Sequence, residues 1–129
     1  NTQHLVVMGD INVADQDIDI GIGEDNRKRW LKSGKASFQP EEREWLQRLG
    51  QFGLTDSYRK LHPFGEQYSW FDYRSKGFER EPKRGLRIDQ ILLTKSLLKH
   101  CKEADIDYVI RAMDKPSDHC PIFVKLEID

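Results

Sequence analysis

Short apolar runs separated by polar segments predict several strands. In the first run, from Leu5 to Met8, four apolar residues follow one another and two are β-branched. This pattern is typical of a strand covered on both faces. Further strands are predicted over the aromatic segment 67–73 and the apolar segments 86–93, 106–110 and 122–126.

The clearest predicted helix begins at Pro40 and ends near Gly53. Proline suits a first helical turn, acidic residues follow it, and Trp45, Leu46 and Leu49 recur at helical spacing. Segment 27–35 is expected to be a short amphipathic turn, segment 54–61 a short helix or turn, and segment 96–101 a short helix.

Segment 13–23 is rich in Asp and Gly but matches no ligand-binding motif. An EF-hand counted from Asp15 would need Gly at position 20 and Glu at position 26, where Ile20 and Asn26 stand. A dinucleotide fingerprint would need a third glycine, which is also replaced by Asn26. We therefore expect a surface loop.

His62, which has no partner nearby in sequence, is expected to be a surface residue.

Composition indicates one globular domain. The 129 residues are 37% hydrophobic and 33% charged, and no apolar run approaches membrane-spanning length. The two cysteines support neither a disulfide framework nor a zinc site, so a reducing, cytoplasmic setting is expected. Because the chain opens on Asn1 with a core-type strand only a few residues later, we expect it to be part of a longer protein.

The net charge of -1 hides two basic clusters. The first consists of Arg27, Lys28, Arg29, Lys32 and Lys35, and the second of Arg74, Lys76, Arg80, Lys83, Arg84 and Arg87. Each lies beside aromatic residues. The clusters could be solvated faces, but the combination suggests a polyanionic partner.

Three polar groups near strand ends are candidates for chemistry. Asp10 and Asn12 would share one side of an extended chain, although an Asx turn is the commoner arrangement there. Asp89 lies in an apolar strand and needs a partner, which could be Arg87, a histidine or another cation. Asp118 and His119 lie in a turn between prolines, where ordinary loop chemistry is the simplest explanation.

Four motifs in order are far more specific than any one of them. The runs L-V-V-M-G-D-I-N, S-W-F-D-Y-R-S, G-L-R-I-D-Q-I-L and K-P-S-D-H-C-P resemble the second half of the exonuclease III (AP endonuclease) family, a branch of the endonuclease/exonuclease/phosphatase superfamily. The run D-I-G-I-G-E-D-N-R-K-R-W also resembles exonuclease III. The resemblance extends from about Leu5 to Val124.

The resemblance implies a role for each matching residue. Asp10 would activate the attacking water, Asn12 would hold the phosphate, and Asp89 would orient His119, which would contact the scissile phosphoryl oxygen. Asp118, with Asp10 and Asn12, would hold a divalent metal. The implied substrate contacts are Trp70 and Phe71 around an abasic sugar, and Arg27, Lys28, Arg29, Lys32 and Arg87 along duplex DNA.

Phosphodiester hydrolysis independently requires these residue types. It needs a positioned water, a base and positive charge at the phosphate. Converging carboxylates repel one another, and a hard cation such as Mg²⁺ or Mn²⁺ relieves that repulsion.

The resemblance implies an α/β fold, with a mostly antiparallel or mixed sheet and flanking helices, forming one half of a four-layer α/β sandwich. Residues 1–129 would be the C-terminal half, without the N-terminal half that carries other metal ligands. The parent protein would be a Mg²⁺-dependent AP endonuclease and 3'-to-5' exodeoxyribonuclease acting on double-stranded DNA with abasic sites or 3' ends. The fragment alone would have little activity, and would self-associate or pair with the missing half.

Two alternatives remain open from the sequence. One is a superfamily phosphatase or phosphodiesterase acting on an inositol phosphate or lipid head group. The other is a non-catalytic half-domain that binds DNA or protein.

Overall fold

The computed structural model describes residues 3–129. The strands are β1 (Val6–Asp10), β2 (Ile20–Gly21), β3 (Leu54–Asp56), β4 (Gly85–Leu86), β5 (Asp89–Thr94), β6 (Cys101–Ile106) and β7 (Ile122–Leu126). The helices are α1 (Glu24–Ser33), α2 (Pro40–Phe52), α3 (Ser57–Leu61), α4 (Lys95–Leu98) and α5 (Tyr108–Arg111), and a 3-10 turn covers Asp17–Asp19. None of these helices is both long and apolar enough to cross a lipid bilayer.

Every strand pairing within residues 3–129 is antiparallel. The largest sheet has the order β1-β5-β3, and β2 pairs with β4 while β6 pairs with β7. The expectation of an α/β fold with antiparallel sheets and flanking helices is confirmed.

The central strand β5 is buried on both faces. Ile91 and Leu93 belong to a cluster that includes Ala104 and Ile106 of β6. Leu92 points to the opposite face and packs in a second cluster with Leu46 of α2 and Leu54. Because β5 is covered on both sides, it is a rigid support for residues at its ends.

Strand β1 does not have the two covered faces that its apolar run predicts. It lies at the edge of the sheet, where Val6 is 40% and Met8 64% exposed. The prediction is wrong because a run of apolar residues does not reveal whether a second layer covers both faces.

Helix α2 is confirmed with its expected ends. Pro40 is in the first turn, and the Glu42 side chain accepts a hydrogen bond from the Gln39 backbone N–H at 3.1 Å. The helix ends at Gly53, which has a φ of 119° and accommodates the left-handed conformation without a Cβ clash.

Segment 13–23 is not a surface loop. Ile20 and Ile22 are buried, and Asp19 has no exposed surface. Arg59 and Arg87 both donate to the Asp19 carboxylate. These arginines lie far away in sequence, so the local pattern gave no sign of the ion pairs that stabilise a buried acid.

Four further segments differ from expectation. Segment 27–35 is mostly part of α1 rather than a short turn, and segment 67–73 forms only isolated bridges at Trp70. The strand predicted over 86–93 is interrupted between β4 and β5. The strand predicted over 106–110 is wrong, because β6 ends at Ile106 and α5 follows.

His62 is also misassigned by the sequence. It is half-buried, and its Nε2 lies 2.7 Å from the carbonyl oxygen of Ala104. That carbonyl belongs to β6, so only the tertiary fold supplies the partner.

Candidate functional site

Strand pairing brings two of the predicted acids together. In the antiparallel register of β1 and β5, Asp10 lies directly opposite Asp89. Residues opposite one another project to the same face of a sheet. The ends of β1 and β5 therefore present two carboxylates on one side.

His119 completes this group from a distant loop. The segment before β7 forms a bridge between His119 and Trp70. His119 Nδ1 lies 2.8 Å from Asp89 Oδ2, and its Nε2 lies 3.7 Å from Asp10 Oδ2. The partner of Asp89 is thus His119, one of the alternatives that the sequence left open, and not Arg87.

The environment of His119 favours its protonated form. Burial acts to lower the pKa of His119, but the hydrogen bond to Asp89 and the charges of Asp89, Asp10 and Asp118 together raise it above its ordinary value. Burial raises the pKa of Asp89, and the hydrogen bond and charge of His119 oppose this rise.

Ser69 is a positioning residue that the sequence reasoning missed. Its buried Oγ accepts hydrogen bonds from the backbone N–H groups of Ile88 and Asp89, each at 2.9 Å. These bonds hold the start of β5 in place. The serine belongs to the S-W-F-D motif, but nothing in that motif predicts a contact with residue 89.

Asp10 and Asn12 are linked through a turn and not by extended backbone. The Asn12 N–H donates to Asp10 Oδ1 at 2.9 Å, and Asn12 has a φ of 55°. The Asx turn considered from the sequence is therefore present. The Asn12 side-chain oxygen accepts a hydrogen bond from Ser37 Oγ at 3.2 Å.

Asp118 lies beside this group but contacts an aromatic residue. Its Oδ2 accepts a hydrogen bond from the Trp70 indole N–H at 3.1 Å. Its backbone oxygen accepts one from Phe71 at 2.9 Å. Asp118 thus fixes the orientation of Trp70. Because one of its carboxylate oxygens accepts this hydrogen bond, Asp118 has fewer free oxygen atoms to offer a metal.

A cleft of about 490 Å³ opens beside Asn12 and His119. Trp70, Leu86 and Ile88 give it an apolar wall. Further lining residues that the sequence-based site did not include are Trp30, Lys35, Ser37, Asp72 and Arg74. The cleft combines an apolar surface with an acid–histidine group at its edge, as expected for a site that holds a small apolar unit next to a reacting group.

Two predicted substrate contacts are wrong. Phe71 is fully buried, with aromatic neighbours that include Tyr108. Arg87 is 1% exposed and pairs with Asp19 and Asp56. Both side chains belong to the interior because each finds its partners there, and neither can contact a ligand in this conformation.

The predicted basic segment divides into two groups. Arg27 is half-buried and pairs with Asp17 at 2.8 Å and with Glu24 at 3.8 Å, so its charge is already partly neutralised. Lys28, Arg29 and Lys32 are exposed on α1.

The acid–histidine group could hold part of a metal site. One ligand atom from each of Asp10, Asp89 and His119 lies within 4.8 Å of the others. Mg²⁺ prefers oxygen ligands in near-octahedral geometry. Here one ligand is a nitrogen, and Asp89 and His119 bind each other, so these residues do not form a complete Mg²⁺ site by themselves.

Sequence comparison places this geometry in a family. The Endonuclease/Exonuclease/phosphatase family matches residues 1–119. The chain is 55% identical over 124 residues to exodeoxyribonuclease III of Haemophilus influenzae, covering 95% of this chain and 46% of that protein. It is 37% identical to the DNA repair nuclease APEX1 of Danio rerio, covering 96% of this chain and 36% of that protein.

Solved structures share the fold. A 3' phosphatase NExo from Neisseria bound to a product DNA hairpin has a TM-score of 0.84 at 38% identity, covering 97% of this chain and 46% of that chain. An AP endonuclease from Archaeoglobus fulgidus has a TM-score of 0.84 at 32% identity, covering 98% and 46%. This chain spans less than half the length of these relatives. Its fold and sequence together show that it belongs to the endonuclease/exonuclease/phosphatase family.

Proposed function

We propose that this chain acts as the C-terminal half of a DNA-repair nuclease of the exonuclease III type, which cleaves duplex DNA at abasic sites and removes nucleotides from 3' ends. The observation that carries the proposal is the contact between Asp89 and His119 at 2.8 Å, with Asp10 at 3.7 Å from the same imidazole. The DNA-processing names of its relatives support the choice of substrate.

Each residue of the group has a distinct role in hydrolysis. The exposed carboxylate of Asp10 takes the proton from an attacking water. His119, oriented by Asp89, donates a hydrogen bond to a phosphoryl oxygen and stabilises the negative charge that develops there. Asn12 lines the cleft at the same edge and holds the phosphate through its side-chain amide.

The sugar of an abasic nucleotide fits the apolar wall of the cleft. Such a sugar carries no base, so it can leave the duplex and lie against Trp70, Leu86 and Ile88. A complete nucleotide must be extruded against its stacking and pairing energy. The wall therefore favours an abasic site over intact DNA.

We propose Mg²⁺ or Mn²⁺ as the cofactor, with only some of its ligands supplied by this chain. Asp10 is open to solvent and accepts a hydrogen bond from the Asn12 backbone, and Asp118 directly precedes His119. The side chains of Asn12 and Asp118 already accept hydrogen bonds from Ser37 and Trp70. The missing oxygen ligands would come from the other half of the domain. For this reason the 129-residue chain alone should have little or no activity.

Exposed apolar side chains support a partner half. Val6 and Met8 on β1 and Phe123 on β7 are exposed large hydrophobic residues of the two larger sheets. Exposed apolar surface on a sheet is stabilised when a second layer covers it. We propose that the N-terminal half of the domain covers it, and that the chain alone self-associates.

Cleavage of a duplex with a central tetrahydrofuran residue, a stable abasic analogue, tests this function. The 129-residue chain should be nearly inactive with Mg²⁺ or Mn²⁺, and activity should appear when the N-terminal half of a close relative is added. In the complete domain, His119→Gln should lower cleavage by about 100-fold or more. The matched variant His4→Gln, at an exposed histidine that contacts Ser96, should leave it unchanged.

Three results would contradict the proposal. Near-normal turnover by the 129-residue chain would refute the half-domain assignment. Normal cleavage by the His119→Gln domain would refute the site. Stronger competition by a soluble inositol phosphate than by abasic duplex would favour a phosphatase of the same superfamily.

A further inference from the structure

A second, smaller pocket adjoins the cleft. It has a volume of about 180 Å³ and shares Trp30, Lys35, Trp70 and Asp72 with the cleft. The two indole rings stand 6.3 Å apart between their centroids, at an angle of 60°. A ligand that fills the cleft can therefore continue into this side pocket without leaving the surface.

The side pocket is lined by unpaired cations. Its basic lining residues are Arg29, Lys35, Arg80 and Arg84, and Asp72 is its one carboxylate. Within residues 3–129 none of these four cations forms an ion pair with a carboxylate. By contrast, the arginines that do form such pairs are Arg27, Arg43, Arg59 and Arg87. Four positive charges without a carboxylate partner therefore face one concave space, which concentrates positive potential there.

Two of the cations are held in place before any ligand binds. Arg84 Nη1 donates to the Ile22 carbonyl at 3.4 Å and lies over Gly23, where a Cβ would come within 2.6 Å of it. The Lys35 ammonium lies 4.3 Å from the centre of the Trp30 ring, and its backbone N–H donates to the Trp30 carbonyl at 3.0 Å. Groups held in this way lose less conformational entropy when they bind an anion.

We propose that the side pocket is a second phosphate subsite, which holds a neighbouring phosphodiester of the strand whose reacting phosphate lies at His119. The ligand class rests on the proposed function. Guanidinium groups donate paired hydrogen bonds that match phosphate oxygens. Because the pocket shares a wall with the cleft, a strand that places a sugar against Trp70 brings its next phosphate to Arg84 and Lys35.

A short single strand tests the subsite without any cleavage. The probe is an oligomer of eight thymidines, and binding to the 129-residue chain is followed by tryptophan fluorescence in a Trp45→Phe background. This leaves Trp30 and Trp70, which both border the side pocket. Arg84→Gln should weaken binding by about 5- to 20-fold at low salt and reduce the slope of log affinity against log salt by about 1. Arg48→Gln, an exposed cation of α2, is the matched control and should weaken binding less than 2-fold.

A second variant guards against a folding defect. Ser75→Glu places a carboxylate at the exposed rim of the side pocket and should weaken binding to a similar extent. Three results would overturn the subsite. The first is an equal loss of affinity for Arg84→Gln and Arg48→Gln, and the second is no loss of affinity for Arg84→Gln or Ser75→Glu. The third is no binding of the oligomer by the parent chain. Inorganic phosphate that displaces the oligomer at equal concentration would show a site for the free anion, and would overturn the assignment to a strand.

The outcome is independent of the cleavage experiment. If the oligomer binds through Arg84 but the complete domain does not cleave abasic DNA, the subsite stands and the proposed nuclease function fails. If cleavage depends on His119 while the Arg84→Gln variant binds the oligomer normally, the nuclease function stands and the subsite fails.

Discussion

Replacing Asp19 with Asn should strongly destabilise the chain. Asp19 is fully buried, and its carboxylate accepts hydrogen bonds from Arg59 and from Arg87 Nε, the latter at 2.7 Å. Arg87 also pairs with Asp56. The variant keeps the size of the side chain but removes the negative charge that two buried guanidinium groups share.

The expected loss is about 3–5 kcal/mol, the usual cost of removing one partner from a buried ion pair. A domain of this size has a total stability of about 5–15 kcal/mol, so the variant should be marginal or unfolded. The nearby Asp17 is the control, because it also pairs with two arginines, Arg27 and Arg43, but its side chain is 69% exposed. Asp17→Asn should cost about 0–1 kcal/mol.

Urea denaturation followed by circular dichroism measures both variants. With a urea dependence of about 1–3 kcal/mol per molar, Asp19→Asn should lower the midpoint by about 2 M, and Asp17→Asn should barely change it. Equal midpoints for the two variants would refute the argument that the buried ion pairs stabilise the corner between β4 and β5. The corner matters for the site because Arg87 lies between the cleft residues Leu86 and Ile88, two positions before Asp89.

Two further predictions concern the site. In buffer with EDTA, an NMR titration should give His119 a pKa above its ordinary value, and Asp89→Asn should bring it down, because the hydrogen bond and charge of Asp89 raise it. Since the folded-state pKa is raised, the imidazole contributes stability that is complete below about pH 6.5 and is lost as pH rises through the folded value. An unchanged His119 titration in the variant would contradict this. Ser69→Ala leaves the N–H groups of Ile88 and Asp89 without their acceptor and should cost about 1–3 kcal/mol in thermal or urea unfolding. A variant as stable as the parent chain would show that water replaces the hydroxyl.

The sequence alone determined those helices and strands whose start and end signals lie within the same segment. Helix α2 has its proline start, its acidic first turn and its glycine end within one segment, so its bounds could be predicted from that segment alone. The same is true of β7 over 122–126. The sequence also predicts Asp10, Asn12, Asp89, Asp118 and His119 as candidate site residues, through the resemblance carried by four motifs.

Only the tertiary structure decided which of these residues meet and which candidates are interior. The pairing of β1 with β5 sets Asp10 opposite Asp89, and a loop thirty positions further along brings His119 to both. Arg87 belongs to a basic cluster in the sequence, yet it is 1% exposed because Asp19 and Asp56 surround it. A residue type states what chemistry a side chain can perform, whereas burial and partners come from segments distant in sequence. For that reason the sequence by itself named candidate residues, and the fold alone separated the cations that stabilise the interior from those that face the cleft.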